Sequence, residues 1–277
     1  MFKPLFPFLF ILTLSEMGYS NPPAQSCNST LQKLSRNFKD FNPSAKKAFD
    51  GSYPHPHERP LWEYNDILFG QKSRKSLLKH IPTHGTAIDL GGGKGVAYRE
   101  IARKKKVNAI VINTQKQVPP EKDSKDTFEG KFEYKEGYAE EVLTAFGEKV
   151  DLITDIWGAF SYTTEKAYLI ETIFKKLKPG GKAFILLNPL KTPAEVISEG
   201  ESLDLSTWLG KKYPNLFKVY DSPGQDTPFA HIIEITKPKT GSDEISLPLI
   251  MKERSTRTTP SGFQYPEVVY TEKTNSQ

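Results

Sequence analysis

Nine consecutive residues hold the densest chemistry in this chain: Ala87-Ile88-Asp89-Leu90-Gly91-Gly92-Gly93-Lys94-Gly95. An apolar run takes up a carboxylate near its end, and Gly91, Gly93 and Gly95 follow at every second position. The run predicts a strand, the glycines a tight turn, and residues 96–105 a helix. Glycine accepts positive φ and has no Cβ, so the backbone can approach a ligand closely. A strand, a glycine turn and a helix N-terminus together form a nucleotide cradle. Two versions of that cradle are excluded. The dinucleotide pattern G-x-G-x-x-G needs a glycine where Val96 stands, and the phosphate loop needs Ser or Thr where Gly95 follows Lys94.

The remaining pattern, acid-x-Gly-x-Gly-x-Gly, resembles motif I of the class I S-adenosylmethionine-dependent methyltransferases. The resemblance implies S-adenosyl-L-methionine as cofactor. That molecule carries an ammonium and a sulfonium, so an aspartate at a strand end can face a cation, directly or through water. The likeness extends over roughly residues 86–236. Gly137-Tyr138-Ala139-Glu140-Glu141 is similar to the Gly-Asp-Ala-Glu segment that borders the adenine in the family. Tyr138 replaces the aspartate, and a tyrosine can stack on the base or hydrogen-bond to it. At the end of the second strand the family has an acid that holds both ribose hydroxyls. This chain has Asn113, whose carbonyl accepts a hydroxyl proton without charge assistance. On the resemblance, Asn113→Asp is expected to tighten binding. Lys176-Leu177-Lys178-Pro179-Gly180-Gly181-Lys182 looks like the family's turn from a helix into strand five. The implied cofactor-binding set is Asp89, Gly91, Gly93, Gly95, Asn113, Tyr138, Ala139 and Asp155.

The elements that must position these residues follow from periodicity. Strands are predicted at 86–90, 108–112, 132–135, 150–155 and 183–187, with a closing antiparallel pair at 217–220 and 231–236. Helices are predicted at 96–105, 140–146, 163–177 and 203–213. In the third of these, Ala167, Ile170, Phe174 and Leu177 share one face, with Thr163 as its cap. Residues 119–130 predict a loop. Residues 61–81 predict one or two helices leading into the core. The series makes an α/β, Rossmann-like, mostly parallel seven-stranded sheet with an antiparallel end strand and helices on both faces. Such sheets bind ligands beyond the carboxyl ends of their strands, where Asp89, Asn113, Gly137 and Asp155 all fall.

The domain reading is a signal peptide over residues 1–20, a helical and loop extension over 21–80, the methyltransferase-like domain over 81–237, and a largely loop tail over 238–277. Lys3 followed by an apolar run from Leu5 to Leu14 and by Gly18-Tyr19-Ser20 fits an export signal, and the run is too short to span a bilayer. The expected destination is periplasmic or secreted, with no transmembrane segment after cleavage. Cys27 is the only cysteine, which excludes an intramolecular disulfide. The net charge of +5 is only mildly basic, so a nucleic acid partner is not expected.

Methyl transfer is an in-line displacement governed by positioning, and the resemblance supplies no universal catalytic residue. The chain lacks the Pro-Pro-aromatic signature for base nitrogens and a cysteine for cytosine C5. Asp155-Ile156-Trp157-Gly158-Ala159-Phe160 stands there instead, and its aromatics can wall an apolar or planar acceptor. His55 and His57 lie among prolines and read as a loop rather than a metal site. His57 or Tyr64 can also belong to an N-terminal lid over the cofactor pocket. The leading expectation is a methyltransferase acting on a small molecule or a protein. The alternative is an exported, catalytically inactive methyltransferase-like binding module.

Overall fold

The computed structural model describes residues 59–114, 127–187, 193–224, 230–258 and 264–273. The expected export signal, Cys27, His55, His57 and most of the expected loop at 119–130 lie outside these residues.

The central feature is a seven-stranded sheet. Its strands are β1 (Thr86–Leu90), β2 (Asn108–Asn113), β3 (Lys131–Glu136), β4 (Val150–Ile156), β5 (Leu177–Leu187), β8 (Phe217–Asp221) and β9 (His231–Thr236), in the order β3-β2-β1-β4-β5-β9-β8. Neighbours from β3 to β5 pair in parallel, whereas β9 runs antiparallel to both β5 and β8. The order reverses at β1/β4, which leaves a crevice beyond the carboxyl ends of those two strands. This is the α/β sheet expected from the sequence.

Side chains alternate along each strand and sort into two cores. Ile88, Leu90, Ile110, Ile112, Ile185 and Ile233 point to one face. Ala87, Ala109, Val111, Leu152, Phe184 and Ile232 point to the other. Burial on both faces explains why residues 183–187 of β5 read as a continuous apolar run rather than as an alternation. Helices α1 (Leu61–Phe69) and α2 (Val96–Lys104) cover the second face with Tyr64, Leu68, Tyr98 and Ile101. The first face is covered by α3 (Ala139–Ala145), α5 (Lys166–Lys176) and α6 (Leu205–Lys212), through Leu143, Ile173, Phe174 and Trp208. A four-residue helix, α4 (Ala159–Tyr162), lies between β4 and α5.

Helix α5 starts later than its sequence pattern indicates. Its N-cap is Glu165, and Thr163 instead accepts from the Glu165 amide at 3.1 Å. Leu177 already belongs to β5, where the register against β4 shifts between Val150 and Leu152.

The segment 238–277, expected to be largely loop, carries two strands among its described residues. Strands β10 (Leu249–Thr258) and β11 (Gln264–Glu272) form an antiparallel pair. Strand β11 also pairs with β6 (Ala194–Ser198), which pairs with β7 (Glu201–Asp204), making a second sheet of order β10-β11-β6-β7. Val268 and Tyr270 alternate into the first core, and the Tyr270 hydroxyl donates to the Thr164 carbonyl at 2.9 Å. Two buried positions and long-range pairing outweigh a polar composition that has little local preference. Residues 61–81 likewise merge with the domain, since Leu61, Tyr64, Leu77 and Ile81 share a core with the main sheet. No helix among the described residues is long and apolar enough to cross a membrane.

Candidate functional site

Three loops meet at the carboxyl ends of the central strands. The first is the glycine turn, in which Gly91, Gly93 and Gly95 have φ values of 80°, 57° and 75°. A Cβ on Gly91 would lie 2.5 Å from the Cα of Gly158, in the loop that follows β4, so the two loops touch backbone to backbone. The Gly91 amide donates to the Ile112 carbonyl at 2.7 Å, which fastens the turn to β2. Gly95 is the N-cap of α2 and offers no side chain, so the first-turn amides carry no side-chain cap.

Asp89 sits beneath this turn and is 1% exposed. The Tyr64 hydroxyl donates to its Oδ2 at 2.6 Å, and Thr154 Oγ1 meets its Oδ1 at the same distance. Tyr98 extends the chain, 2.9 Å from Thr154 Oγ1 and 3.0 Å from the Ile88 carbonyl. Burial pushes the Asp89 carboxyl up to about 6, against the lowering effect of its two hydroxyl partners. Burial and the nearby Asp89 also raise both phenols. Of the two residues read as lid candidates, His57 lies outside the described residues, and Tyr64 is a buried residue of α1 bonded to the motif carboxylate.

The second is the loop that follows β3, which is bonded to the last residue of β2. Asn113 is half-buried, and its Nδ2 donates to the Gly93 carbonyl at 2.6 Å and to the Tyr134 hydroxyl. The Gly137 amide donates to the Asn113 carbonyl at 2.8 Å, which ties the glycine turn to the Tyr138 segment. Tyr138 caps α3 and is exposed, whereas Ala139 is buried. Burial raises the Tyr138 phenol, with smaller contributions from Glu141 and Glu140.

The third loop follows β4. Asp155 is fully buried, and its oxygens accept from the Gly158 amide at 2.9 Å and the Phe160 amide at 2.8 Å. Burial pushes its carboxyl up to about 8, despite those bonds. Lys166, also fully buried, donates to the carbonyls of Phe160 at 2.5 Å and Thr163 at 3.0 Å. Desolvation pushes its ammonium down to about 7, against the pull of Asp155 and Glu140. An acid and a lysine thus hold this loop from its two ends. Between them Trp157 has φ 58°, a costly conformation for a side chain of that size. Phe160 faces the core and does not wall an acceptor.

The structure therefore brings Asp89, the three glycines, Asn113 and the Gly137 segment into one connected cluster. Asp155 stands beside it with both oxygens directed to its own loop. Sequence reading passed over Thr154, Tyr98, Tyr134 and Lys166. Thr154 is the one hydroxyl in β4, which was an available signal. Lys166 reads as an ordinary first-turn lysine and gave none.

The strand order, with one antiparallel strand next to the β8 edge, is that of a Rossmann-like, mostly parallel sheet. No protein-family model matches the chain, and no curated protein matches it. Among solved structures it is similar to an rRNA methylase from Streptococcus thermophilus, with 14% identity, TM-score 0.41, and 66% of this chain covering 99% of that one. It is also similar to a SAM-dependent methyltransferase from Thiobacillus denitrificans in complex with S-adenosyl-L-homocysteine, with 20% identity and TM-score 0.31, over 40% of this chain and 44% of that one. A Galdieria sulphuraria protein named for sarcosine and dimethylglycine methylation gives 22% identity and TM-score 0.35, over 40% of this chain and 41% of that one. The chain thus spans less than half the length of the latter two.

Proposed function

We propose that this chain is an exported S-adenosyl-L-methionine-dependent methyltransferase acting on a small molecule or a protein side chain. The carrying observation is the acid-x-Gly-x-Gly-x-Gly turn at the carboxyl end of β1, with all three spaced glycines at positive φ. The residues present suit the cofactor. The uncapped first-turn amides of α2 can take its carboxylate, as helix N-termini take anions. Asp89 lies under the same turn as a counter-charge for its ammonium. Tyr138, exposed at the end of β3, borders the base with Ala139. When bound, the cofactor supplies an electrophilic methyl for in-line attack. The protein's part is to orient the acceptor, and the Trp157 loop lies where acceptors enter this fold.

Calorimetric titration of the folded chain with S-adenosyl-L-homocysteine and S-adenosyl-L-methionine tests the reading. A saturable heat at one site per chain is expected. No binding of either compound to well-folded protein would overturn it. Export adds a condition: the methyl donor is made in the cytosol, so the enzyme acts where that donor is delivered, such as the cytosol of another cell.

A further inference from the structure

The Asn113 amide lies in a closed ring of hydrogen bonds. One Nδ2 proton goes to the Gly93 carbonyl at 2.6 Å, and the other goes to the Tyr134 hydroxyl. That hydroxyl sends its own proton to the same Gly93 carbonyl at 3.1 Å. Three protons serve three contacts, and both lone pairs of the Gly93 carbonyl are used. Gly93 is the middle glycine of the turn, held at φ 57°.

We infer that Asn113 is a positioning residue: its two amide protons hold the glycine turn in its ligand-binding shape, and an acid at this position opens the turn. The inference rests on the donor-site reading above. A carboxylate here has no proton to give. It would set an anion against the Gly93 carbonyl, and the single Tyr134 proton can satisfy only one of the two acceptors. The asparagine is therefore a requirement of this turn. The expectation from the resemblance, that aspartate improves binding, is reversed.

The reversal has a pH signature, because a protonated aspartic acid regains one donor for Gly93. Among the ionisable side chains on the elements packed here, Tyr134 lies within the ring, Glu136 is opposite Asn113 in the register of β3 with Lys135 and Glu133 before it, Lys94 is on the turn and Asp89 on β1. The Gly93 carbonyl accepts only from the protonated form of a new carboxyl, and Glu136 adds a like charge, so that carboxyl titrates above the ordinary value of about 4.

The test is calorimetry with S-adenosyl-L-homocysteine on wild type, Asn113→Ala and Asn113→Asp, with folding checked by circular dichroism. At about pH 8 the Asn113→Asp dissociation constant should be raised about tenfold or more, with Asn113→Ala between it and wild type. The gap between Asn113→Asp and wild type should narrow between about pH 6 and pH 4. Binding by Asn113→Asp as tight as wild type at pH 8, or tighter, overturns the inference. A second measurement does not depend on a ligand or on the fold of a variant. In ligand-free wild type, NMR should show the Asn113 side-chain amide protons exchanging more slowly than those of exposed asparagines. Exchange at the free rate also overturns it. If wild type binds no S-adenosyl-L-homocysteine, the donor-site reading falls and the exchange rate alone decides the role of Asn113.

Discussion

Replacing Asp89 with asparagine should stabilise the fold and weaken the site together. In its ionised form Asp89 accepts from Tyr64 and Thr154, and the Tyr98 proton must be shared between Thr154 and the Ile88 carbonyl. In its neutral form every contact has its own proton. Tyr64 donates to Asp89, Asp89 to Thr154, Thr154 to Tyr98, and Tyr98 to Ile88. Asparagine reproduces that neutral pattern, with Nδ2 toward Thr154 and Oδ1 toward Tyr64. The carboxyl is at about 6 in the folded chain, against its ordinary value of 3.8 in the unfolded one. The folded state therefore holds the extra proton between these values, and stability falls as pH rises through them. At 1.36 kcal/mol per pH unit, ionised Asp89 costs the fold up to about 3 kcal/mol above pH 6. Urea unfolding of wild type and Asp89→Asn from pH 4 to 8 reads this directly. The difference should be small near pH 4 and should grow in favour of the variant up to about pH 7. A flat difference, or one that favours wild type more as pH rises, would refute the buried-carboxyl argument. The same variant should bind S-adenosyl-L-homocysteine about 1.5–3 kcal/mol more weakly, the scale of a hydrogen bond to a charged group.

Gly91→Ala places a Cβ against Gly158 at φ +80°, so urea unfolding should show a loss of about 2–4 kcal/mol, from left-handed strain and overpacking combined. Lys166 binds fewer protons folded than unfolded between about pH 7 and 10.5, so its contribution to stability rises with pH over that window. The advantage of wild type over Lys166→Met in urea unfolding should accordingly widen from pH 7 to 9.5, and a narrowing gap would contradict the burial of a charged lysine. N-terminal sequencing of protein exported by its native host should start at Asn21 or, failing that, at Cys27. Intact Met1 in the cytosol would reject the export signal.

The sequence by itself determined the sheet and the turn. Both are written in local terms: apolar runs of strand length, helices with periodic faces, and glycines where only positive φ closes the chain. Asp89, Asn113 and Gly137 could be placed at strand ends because a strand end is a one-dimensional fact. What those side chains do once there was decided by tertiary structure. Asn113 reads as a weak ribose acceptor until β3 brings Tyr134 beside it and the turn brings the Gly93 carbonyl into range of its amide. Asp155 lies at the right strand end, yet both its oxygens serve the amides of Gly158 and Phe160. Tyr64, 25 residues before Asp89, meets it only because α1 packs with α2 into the second core. The second sheet was equally hidden: β6 and β11 are distant in sequence and pair through backbone groups, which every residue carries alike. Hydrogen bonds between remote positions leave no period and no composition behind, so only the folded chain shows which proton each acceptor receives.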